Sequence, residues 1–311
     1  MSLGFDLLLC AAILLVALAA IAGRDLFRAM VFFIVYGVFI ALAWLRLGAT
    51  DVALAEAAIG AGLTGLLLLR ALARVPAHVP GSGSAPGAVL AGAGALGVTL
   101  ALGWGFLALP EAAGLGATVR ALGPGAGAEN PVTAVLLAFR AWDTLLESIV
   151  LLAALVGVWV LGRDAAWGGR LGLRQHVRPE GVLASFGRIL PPAGLVIGIY
   201  LVWAGTSRPG GAFQGGTVLA AVALLTLMAG LARAPRVLAR RLRLALILGP
   251  VLFLSVGILG AVLQPWFPGA AFLALPEAAA KPLILLIELV LTLSISVTLA
   301  ALVAGPPEEE P

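Results

Sequence analysis

The sequence is poor in the residues on which most soluble enzymes depend. Its 311 residues include one Cys, two His and one Lys, and only 11% are charged. Cys10 lies inside an apolar run, so a disulfide framework is excluded. Lys281 is the only lysine, which excludes the series of intramembrane lysines that a proton-pumping antiporter core needs. No nucleotide-binding loop, metal-ligand cluster or nucleophile–base pair is present either. We therefore predict no cofactor, no metal site and no catalytic residue.

The sequence is rich in apolar residues. Hydrophobic residues make up 62% of the chain, and the mean hydropathy is +1.12. This balance is typical of a polytopic membrane protein, and the long apolar runs without alternation indicate helices rather than a barrel. The pI near 10.2 does not indicate nucleic-acid binding, because the arginines cluster at the ends of the apolar runs.

The apolar stretches predict an all-α fold with about nine transmembrane helices. They cover residues 7–21, 29–45, 52–69, 89–109, 149–161, 190–204, 216–231, 242–263 and 283–303. Pro191 and Pro192 suit a helix start, and Pro250 is expected to kink the eighth helix.

Two polar connections divide these stretches into modules. A Pro/Gly/Ser-rich linker covers residues 76–87, and a basic connection, predicted to be cytoplasmic, covers residues 163–184. We therefore predict a three-helix module at 1–75, a two-helix module at 88–162 and a four-helix module at 185–305. The acidic tail, residues 306–311, is predicted to be disordered.

The positions of the basic residues predict the orientation. With the N-terminus outside and the C-terminus inside, fourteen basic residues fall on the inner side and five elsewhere. The positive-inside rule favours this N-out/C-in arrangement.

Three charged residues, called here the ionic stripe, interrupt the apolar sequence near the middle of the chain. At about 100° per residue, Arg140, Asp143 and Glu147 share one helix face. Two interpretations are open. The three residues form a structural ion pair at the membrane boundary, or Arg140 tunes a hydrated relay in which Asp143 or Glu147 carries protons.

Two further acids lie inside predicted spans. Glu56 is either a protonatable relay site or an acid that a neighbouring subunit satisfies; Thr64 lies two turns along the same face, and Gly60 between them admits a close partner. Glu288 is a secondary candidate, for which interhelical hydrogen bonding is the simpler account. Asp51 is read as a helix N-cap or a first-turn charge.

A glycine-rich segment joins the sixth and seventh spans. It lacks the strand and the Lys-Ser/Thr of a phosphate-binding loop, so we predict a tight or partly re-entrant hairpin with Phe213 folded back as a plug. The motif residues are Pro209, Gly210, Gly211, Phe213, Gly215 and Gly216.

Three parts of the chain resemble small proteins of one type of membrane assembly. Residues 24–72, with the run 48–63, resemble the D-type subunit of membrane-bound hydrogenases and part of the C-terminal extension of the large Mrp antiporter subunit. Residues 129–138 with the following ionic stripe resemble the E-type subunit of those hydrogenases, or the next part of that extension. Residues 185–304 resemble the B-type subunit of Mrp antiporters, whose glycine-rich signature matches 205–216. Thr206 and Ser207 replace the His and Asn of that signature, and Ala212 replaces its third consecutive glycine.

The resemblance implies a membrane subunit of a cation/proton-translocating complex. The antiporter-like partner subunits would hold the lysine relays, and this chain would form a neighbouring ion path and dock small membrane subunits. By position, Glu56, Asp143 and Glu147 would be the acids of that path. The expected location is the plasma membrane of a prokaryote, and Na⁺ and H⁺ are the expected ions.

Three functions remain open at this point. The chain is a subunit of an Mrp-type Na⁺/H⁺ antiporter, or of a redox pump such as a membrane-bound hydrogenase. Alternatively, it is a structural scaffold whose acids only pair with partner helices.

Overall fold

The computed structural model describes residues 3–22, 25–73, 85–109, 114, 116–172, 181–263 and 277–308. Within these ranges the chain is all-α apart from one two-stranded antiparallel pair, β1 (Arg170–Leu171) with β2 (Pro307–Glu308). The α-helices are α1 (Leu3–Ala22), α2 (Leu26–Arg46), α3 (Thr50–Ala55), α4 (Thr64–Leu72), α5 (Ala85–Ala108), α6 (Gly116–Leu122), α7 (Pro131–Ala134), α8 (Ala141–Val160), α9 (Val182–Ala204), α10 (Ala212–Met228), α11 (Arg240–Leu263) and α12 (Glu277–Ala304).

Two π-helical segments interrupt this series. The first, π1 (Glu56–Leu63), joins α3 to α4, so that Thr50–Leu72 runs as one continuous helix. The second, π2 (Val135–Phe139), continues α7 and ends at Arg140, whose φ of −128° and ψ of 41° break the helix before α8. A π-helix turns more widely than an α-helix, and such segments often occur at functional sites.

The prediction of an all-α membrane protein is confirmed. Eight helices of the described residues are long and apolar enough to cross a membrane, and α10 is a shorter apolar helix of 17 residues. Together they match the predicted number of about nine. Residues 76–84 of the predicted linker and the two histidines lie outside the described residues, whereas residues 85–87 of that linker belong to α5.

Several predicted boundaries differ from the structure, and two of them have a clear physical reason. Helix α9 begins at Val182, eight residues before the predicted start, so Pro191 and Pro192 lie inside the helix. Membrane helices tolerate interior prolines because neighbouring groups can satisfy the freed carbonyls. The acidic tail is not disordered from residue 306 onward, since Pro307–Glu308 pairs with Arg170–Leu171 as a strand.

Helix α12 forms the centre of the bundle. Five of its apolar side chains, spaced three or four residues apart, are almost fully buried, namely Ile284, Ile287, Leu291, Ile295 and Leu299. Helices α8, α10 and α11 pack around this stripe. Its exposed leucines, by contrast, lie on the opposite side.

Small residues bring the helices close together. Helices α9 and α10 lie antiparallel, since Gly187 faces Ala229 at one end and Gly215 faces Val202 at the other. On α10, a Cβ added to Gly216 would lie 2.8 Å from Ile295 of α12. In membranes such close approach supplies the packing energy that the hydrophobic effect does not provide.

The helices place their connections at two ends of the bundle. At one end, called here the junction end, Asp6 pairs with Arg46, and Asp51, Asn130 and the α9–α10 connection meet. At the other end, called here the arginine end, Arg70 donates to the Ala304 carbonyl at 3.3 Å.

The arginine end collects the basic connections, and β1–β2 lies there. Its residues are Arg70, Arg163, Arg170, Arg233, Arg236, Arg240, Arg241 and Arg243. Helix α1 starts at the junction end and α12 finishes at the arginine end, so the described chain begins and finishes at opposite ends, as the predicted topology requires. Which end faces the cytoplasm stays a prediction from the positive-inside rule.

Candidate functional site

A buried carboxylate, Asp51, joins the first helices to the α9–α10 connection. Asp51 is 8% exposed, and its Oδ1 accepts from the backbone N–H of Gly210 at 3.0 Å and from Nδ2 of Asn130 at 3.3 Å. Its backbone carbonyl accepts from Gln214 at 3.3 Å. Asp51 lies in the first turn of α3, but its side chain does not cap that helix, and the N-cap is Ala49. Its role is therefore tertiary.

Asn130 holds the same connection from a third segment. Its Oδ1 accepts from Val132 N at 3.0 Å and so caps α7, while its Nδ2 donates to the Arg208 carbonyl at 3.0 Å as well as to Asp51. Thr133 lies in the turn that Asn130 caps, and its hydroxyl donates to the Gly205 carbonyl at 2.6 Å. The segment 205–211, called here the glycine loop, is thus fixed by polar groups from two other parts of the chain.

Glycines let this loop pass directly over α12. Gly210 and Gly211 have φ of 154° and 129°, in the region that favours glycine. A Cβ on Gly205 would lie 2.8 Å from Oε1 of Glu288, and a Cβ on Gly211 would lie 3.3 Å from the same atom. The loop therefore covers the Glu288 carboxyl with no side chain in between.

Glu288 is the most buried acid of the described residues. It is 2% exposed, and its Oε2 has no hydrogen-bond partner among them. A second buried acid, Asp51, binds Gly210 of the loop that covers it. An unpaired buried carboxylate is unfavourable in a medium of low dielectric, so a proton or a cation is needed to neutralise it.

A cavity of about 150 Å³ opens beside Glu288. Glu147 of α8 lines the same cavity, and α3, π1, α7, π2, the glycine loop and the start of α10 contribute to its wall. Its polar lining comes from Thr133, Thr144, Glu147, Gln214 and Glu288. Two acids predicted separately from sequence therefore line one cavity, whose wall is otherwise mostly apolar, at the junction end of the bundle.

The ionic stripe is arranged differently from the prediction. Arg140 is the break between π2 and α8, so it does not share one continuous helix face with Glu147. Arg140 pairs with Asp143 at 2.6 Å, and both side chains are exposed, at 70% and 47%. Neither residue lines the cavity. The structure thus separates the Arg140–Asp143 pair from Glu147, which is also exposed but lines the cavity.

Thr144 stabilises the break. Its hydroxyl donates to the Leu136 carbonyl at 2.7 Å, which links the first turn of α8 to π2. Both residues line the cavity, so this bond also shapes its wall.

Glu56 and Thr64 do not reach this cavity. The half-buried Glu56 carboxylate folds over Gly60 and occupies the space that we expected a partner helix to use. Thr64 donates to the Ile59 carbonyl at 2.9 Å, five residues back. The expected common face assumed α-helical spacing, and the wide turn of π1 shifts that spacing.

The glycine-rich motif forms the tight hairpin that we predicted. The connection between α9 and α10 is seven residues long, and Gly215 and Gly216 lie inside α10 against α9 and α12. Phe213 is in the first turn of α10, packs against the main core cluster and lines the cavity beside Gly210 and Gly211. No described contact tests whether it acts as a plug.

Asn130 and Gln214 are site residues that the sequence does not predict. Asn130 precedes Pro131, which is a sequence signal for a helix start, and its cap is found as that signal implies. Its second role, on the glycine loop, has no local signal because its partners Asp51 and Arg208 are 79 and 78 residues away.

Two regions of the chain match known protein families. Residues 11–77 match the MbhD family, the D-type subunit of MBH, and residues 182–305 match the domain related to the MnhB subunit of Na⁺/H⁺ antiporters. Both matches confirm the resemblances found in the sequence. The resemblance of residues 88–162 to the E-type subunit lies outside both regions and stays a prediction. The comparison with curated proteins gives no match.

Two solved structures share the fold. A chain of the Mrp complex from Dietzia sp. DQ12-45-1b is 22% identical with a TM-score of 0.74, and the match covers 98% of this chain and 35% of that chain. A chain of the membrane-bound sulfane sulfur reductase (MBS), an archaeal respiratory membrane complex, is 23% identical with a TM-score of 0.53, over 71% of this chain and 98% of that chain. The chain thus spans about a third of the Mrp chain it matches.

The family matches and the shared fold together describe the type of protein to which this chain is similar. It is a multi-pass membrane protein with a region that matches the MbhD family model and a region that matches the MnhB-related domain, and it shares its fold with a chain of the Mrp complex.

Proposed function

We propose that this chain is a non-catalytic subunit of a multisubunit Mrp-type Na⁺/H⁺ antiporter in a prokaryotic plasma membrane. It forms part of the cation/proton pathway and docks small membrane subunits. The MnhB-related domain and the likeness to a chain of the Mrp complex over 98% of the sequence support this proposal.

The observation that carries the proposal is the cavity shared by Glu147 and Glu288. Ionisable residues inside membrane proteins are costly, and they usually mark ion paths or pair with one another. Here Glu288 has an oxygen without a partner among the described residues, and Glu147 provides a second acid in the cavity wall. This arrangement supports proton or cation passage better than it supports a purely structural pair.

The surface supports partner docking. Helix α5 has no buried residue along its span, and Trp104, Phe106 and Leu107 are each more than three-quarters exposed. A helix that makes so little contact with its own chain suits an assembly in which lipid and other membrane subunits cover it.

The test is Glu147→Gln in the complete complex. We expect normal assembly and loss of Na⁺-dependent proton movement in inverted membrane vesicles, because the amide cannot take up a proton. Glu129→Gln is the matched control, since Glu129 is an exposed acid paired with Lys281 at 3.3 Å outside the cavity. Wild-type exchange in Glu147→Gln would contradict the path and favour the scaffold function.

A redox-coupled complex is the second candidate. It is favoured by the MbhD region and by the likeness to the MBS chain, which the match covers almost completely. Reading the neighbouring genes separates the two, because genes for hydrogenase or other redox subunits beside this one would favour redox coupling.

A further inference from the structure

We propose that Glu288, together with Gln214 and the glycine loop, forms a binding site for a monovalent cation that exchanges with a proton. The inference rests on the proposed function and assigns the ion-binding step to named atoms of this chain.

The first argument is charge. Glu288 is 2% exposed, and it lines the cavity while its Oε2 lacks a hydrogen-bond partner among the described residues. No Lys, Arg or His of the described residues lines that cavity. No basic group of the described residues therefore neutralises the carboxylate, and we infer that a mobile positive ion does so when the proton leaves.

The second argument is the geometry of the oxygens. Oε1 of Glu288 and Oε1 of Gln214 each lie 3.3 Å from the position that a Cβ on Gly211 would occupy. Gln214 directs its amide nitrogen to the Asp51 carbonyl at 3.3 Å, which turns its oxygen away from that bond. The absent Cβ thus leaves a small space between two oxygen atoms.

The chemistry of these ligands selects the ion. Carboxylate and amide oxygens are hard ligands that suit Na⁺-like and other hard cations, whereas softer metals prefer nitrogen or sulfur. Between the oxygens of Glu288 and Gln214 only Glu288 carries a negative charge, so a monovalent ion bound there neutralises that carboxylate. The exchange is Glu288–COOH plus Na⁺ giving Glu288–COO⁻·Na⁺ plus H⁺. One O–H bond breaks, the proton leaves through the cavity, and no electron is transferred.

The charged groups around Glu288 fit this exchange. Asp51 binds the backbone N–H of Gly210 in the glycine loop that covers Glu288, and Glu147 lines the same cavity from α8. Both are acids, so their negative charges favour the protonated and the cation-bound forms of Glu288 over the free carboxylate. The arginines at the start of α11, Arg240, Arg241 and Arg243, lie at the arginine end instead.

The test is infrared difference spectroscopy of the purified whole complex, with Na⁺ added at constant ionic strength against choline. We expect Na⁺ to remove the C=O stretch of a protonated carboxyl in the wild type, and we expect this change to be absent in Glu288→Gln. Gln214→Leu should still show the Na⁺-induced loss of the C=O stretch, but at an Na⁺ concentration about tenfold higher, the scale on which loss of a supporting ligand acts. If Glu288→Gln does not assemble, Glu288→Asp provides the same test. Its shorter carboxyl should still lose its C=O stretch on adding Na⁺, but at a higher midpoint Na⁺ concentration.

The outcomes separate this inference from the proposed function. If Glu288→Gln abolishes vesicle exchange but still shows the wild-type Na⁺-induced loss of the C=O stretch, the cation binds elsewhere. The inference is then wrong, while the proposed function stands. If the band disappears in Glu147→Gln and not in Glu288→Gln, the site is at Glu147 and the inference is also wrong. If the assembled complex shows no Na⁺-dependent proton movement with the wild-type chain, the proposed function itself fails.

Discussion

Asp51→Ala should open the glycine loop. The substitution removes the acceptor of the buried Gly210 N–H and one of the two acceptors of the Asn130 amide. A buried donor left without a partner costs about 1–3 kcal/mol. Asn130 keeps its bond to the Arg208 carbonyl, so the loss of its bond to Asp51 adds only about 0.5–1.5 kcal/mol, and we expect a total of about 2–4 kcal/mol.

The cost should be local, and amide hydrogen exchange measures it. Since each 1.4 kcal/mol corresponds to a factor of about ten, exchange at 205–211 should accelerate roughly 30-fold to 1,000-fold. Exchange in α11, which has no bond to Asp51 among those described, should be unchanged. Asp51→Asn keeps an oxygen in place and should cost about 1 kcal/mol or less.

Asp6→Ala is the matched control. It removes an acid at the same end of the bundle, but its pair with Arg46 is exposed, at 41% and 35%. Exposed ion pairs contribute about 0–1 kcal/mol, so exchange in the glycine loop should not change. Equal effects of the two substitutions, or an unchanged loop in Asp51→Ala, would show that Asp51 does not hold the junction.

Three further predictions concern packing and surface charge. Gly216→Ala should lower the thermal stability of the purified protein by about 1–3 kcal/mol because its Cβ meets α12, whereas Gly94→Ala, with open space around it, should be neutral or stabilising. Ser294→Ala should cost about 1–3 kcal/mol in the same assay, because its hydroxyl joins α12 to α11 through two hydrogen bonds. Ser255→Ala is the control and should cost less than about 0.5 kcal/mol, because among the contacts described its hydroxyl bonds only within its own helix. Arg140→Gln should change stability by less than about 1 kcal/mol because its ion pair is exposed, and a larger loss would contradict the separation of that pair from the core.

Much of the fold could be predicted from the sequence because hydrophobic length is a local property. A run of apolar residues must become a helix in a membrane, whatever its neighbours are. The start of α9 could not be read in the same way. Pro191 favours a helix start in isolation, but its actual position inside α9 depends on groups from elsewhere that tolerate an interior proline.

The candidate site was predictable only in part, for a related reason. Glu147 and Glu288 stand out in sequence as acids inside apolar runs, yet their meeting at one cavity depends on how α8 and α12 are oriented. The sequence favours Glu56 over Glu288 because it does not show which helix face is buried. The π-helices have no simple sequence signature, so the shift that they impose on Glu56 and Arg140 is visible only in the structure.

The bond between Asp51 and Gly210 also has a consequence for biosynthesis. The two residues are 159 positions apart, so at the usual rate of translation Asp51 is made on the order of 10–30 s before its partner. During that time the first helices enter the membrane with a carboxylate that lacks its final donor. The junction end therefore closes late, when α9 and α10 insert as a hairpin, and a ribosome stalled before residue 205 would leave an inserted but unlocked intermediate for membrane proteases to remove.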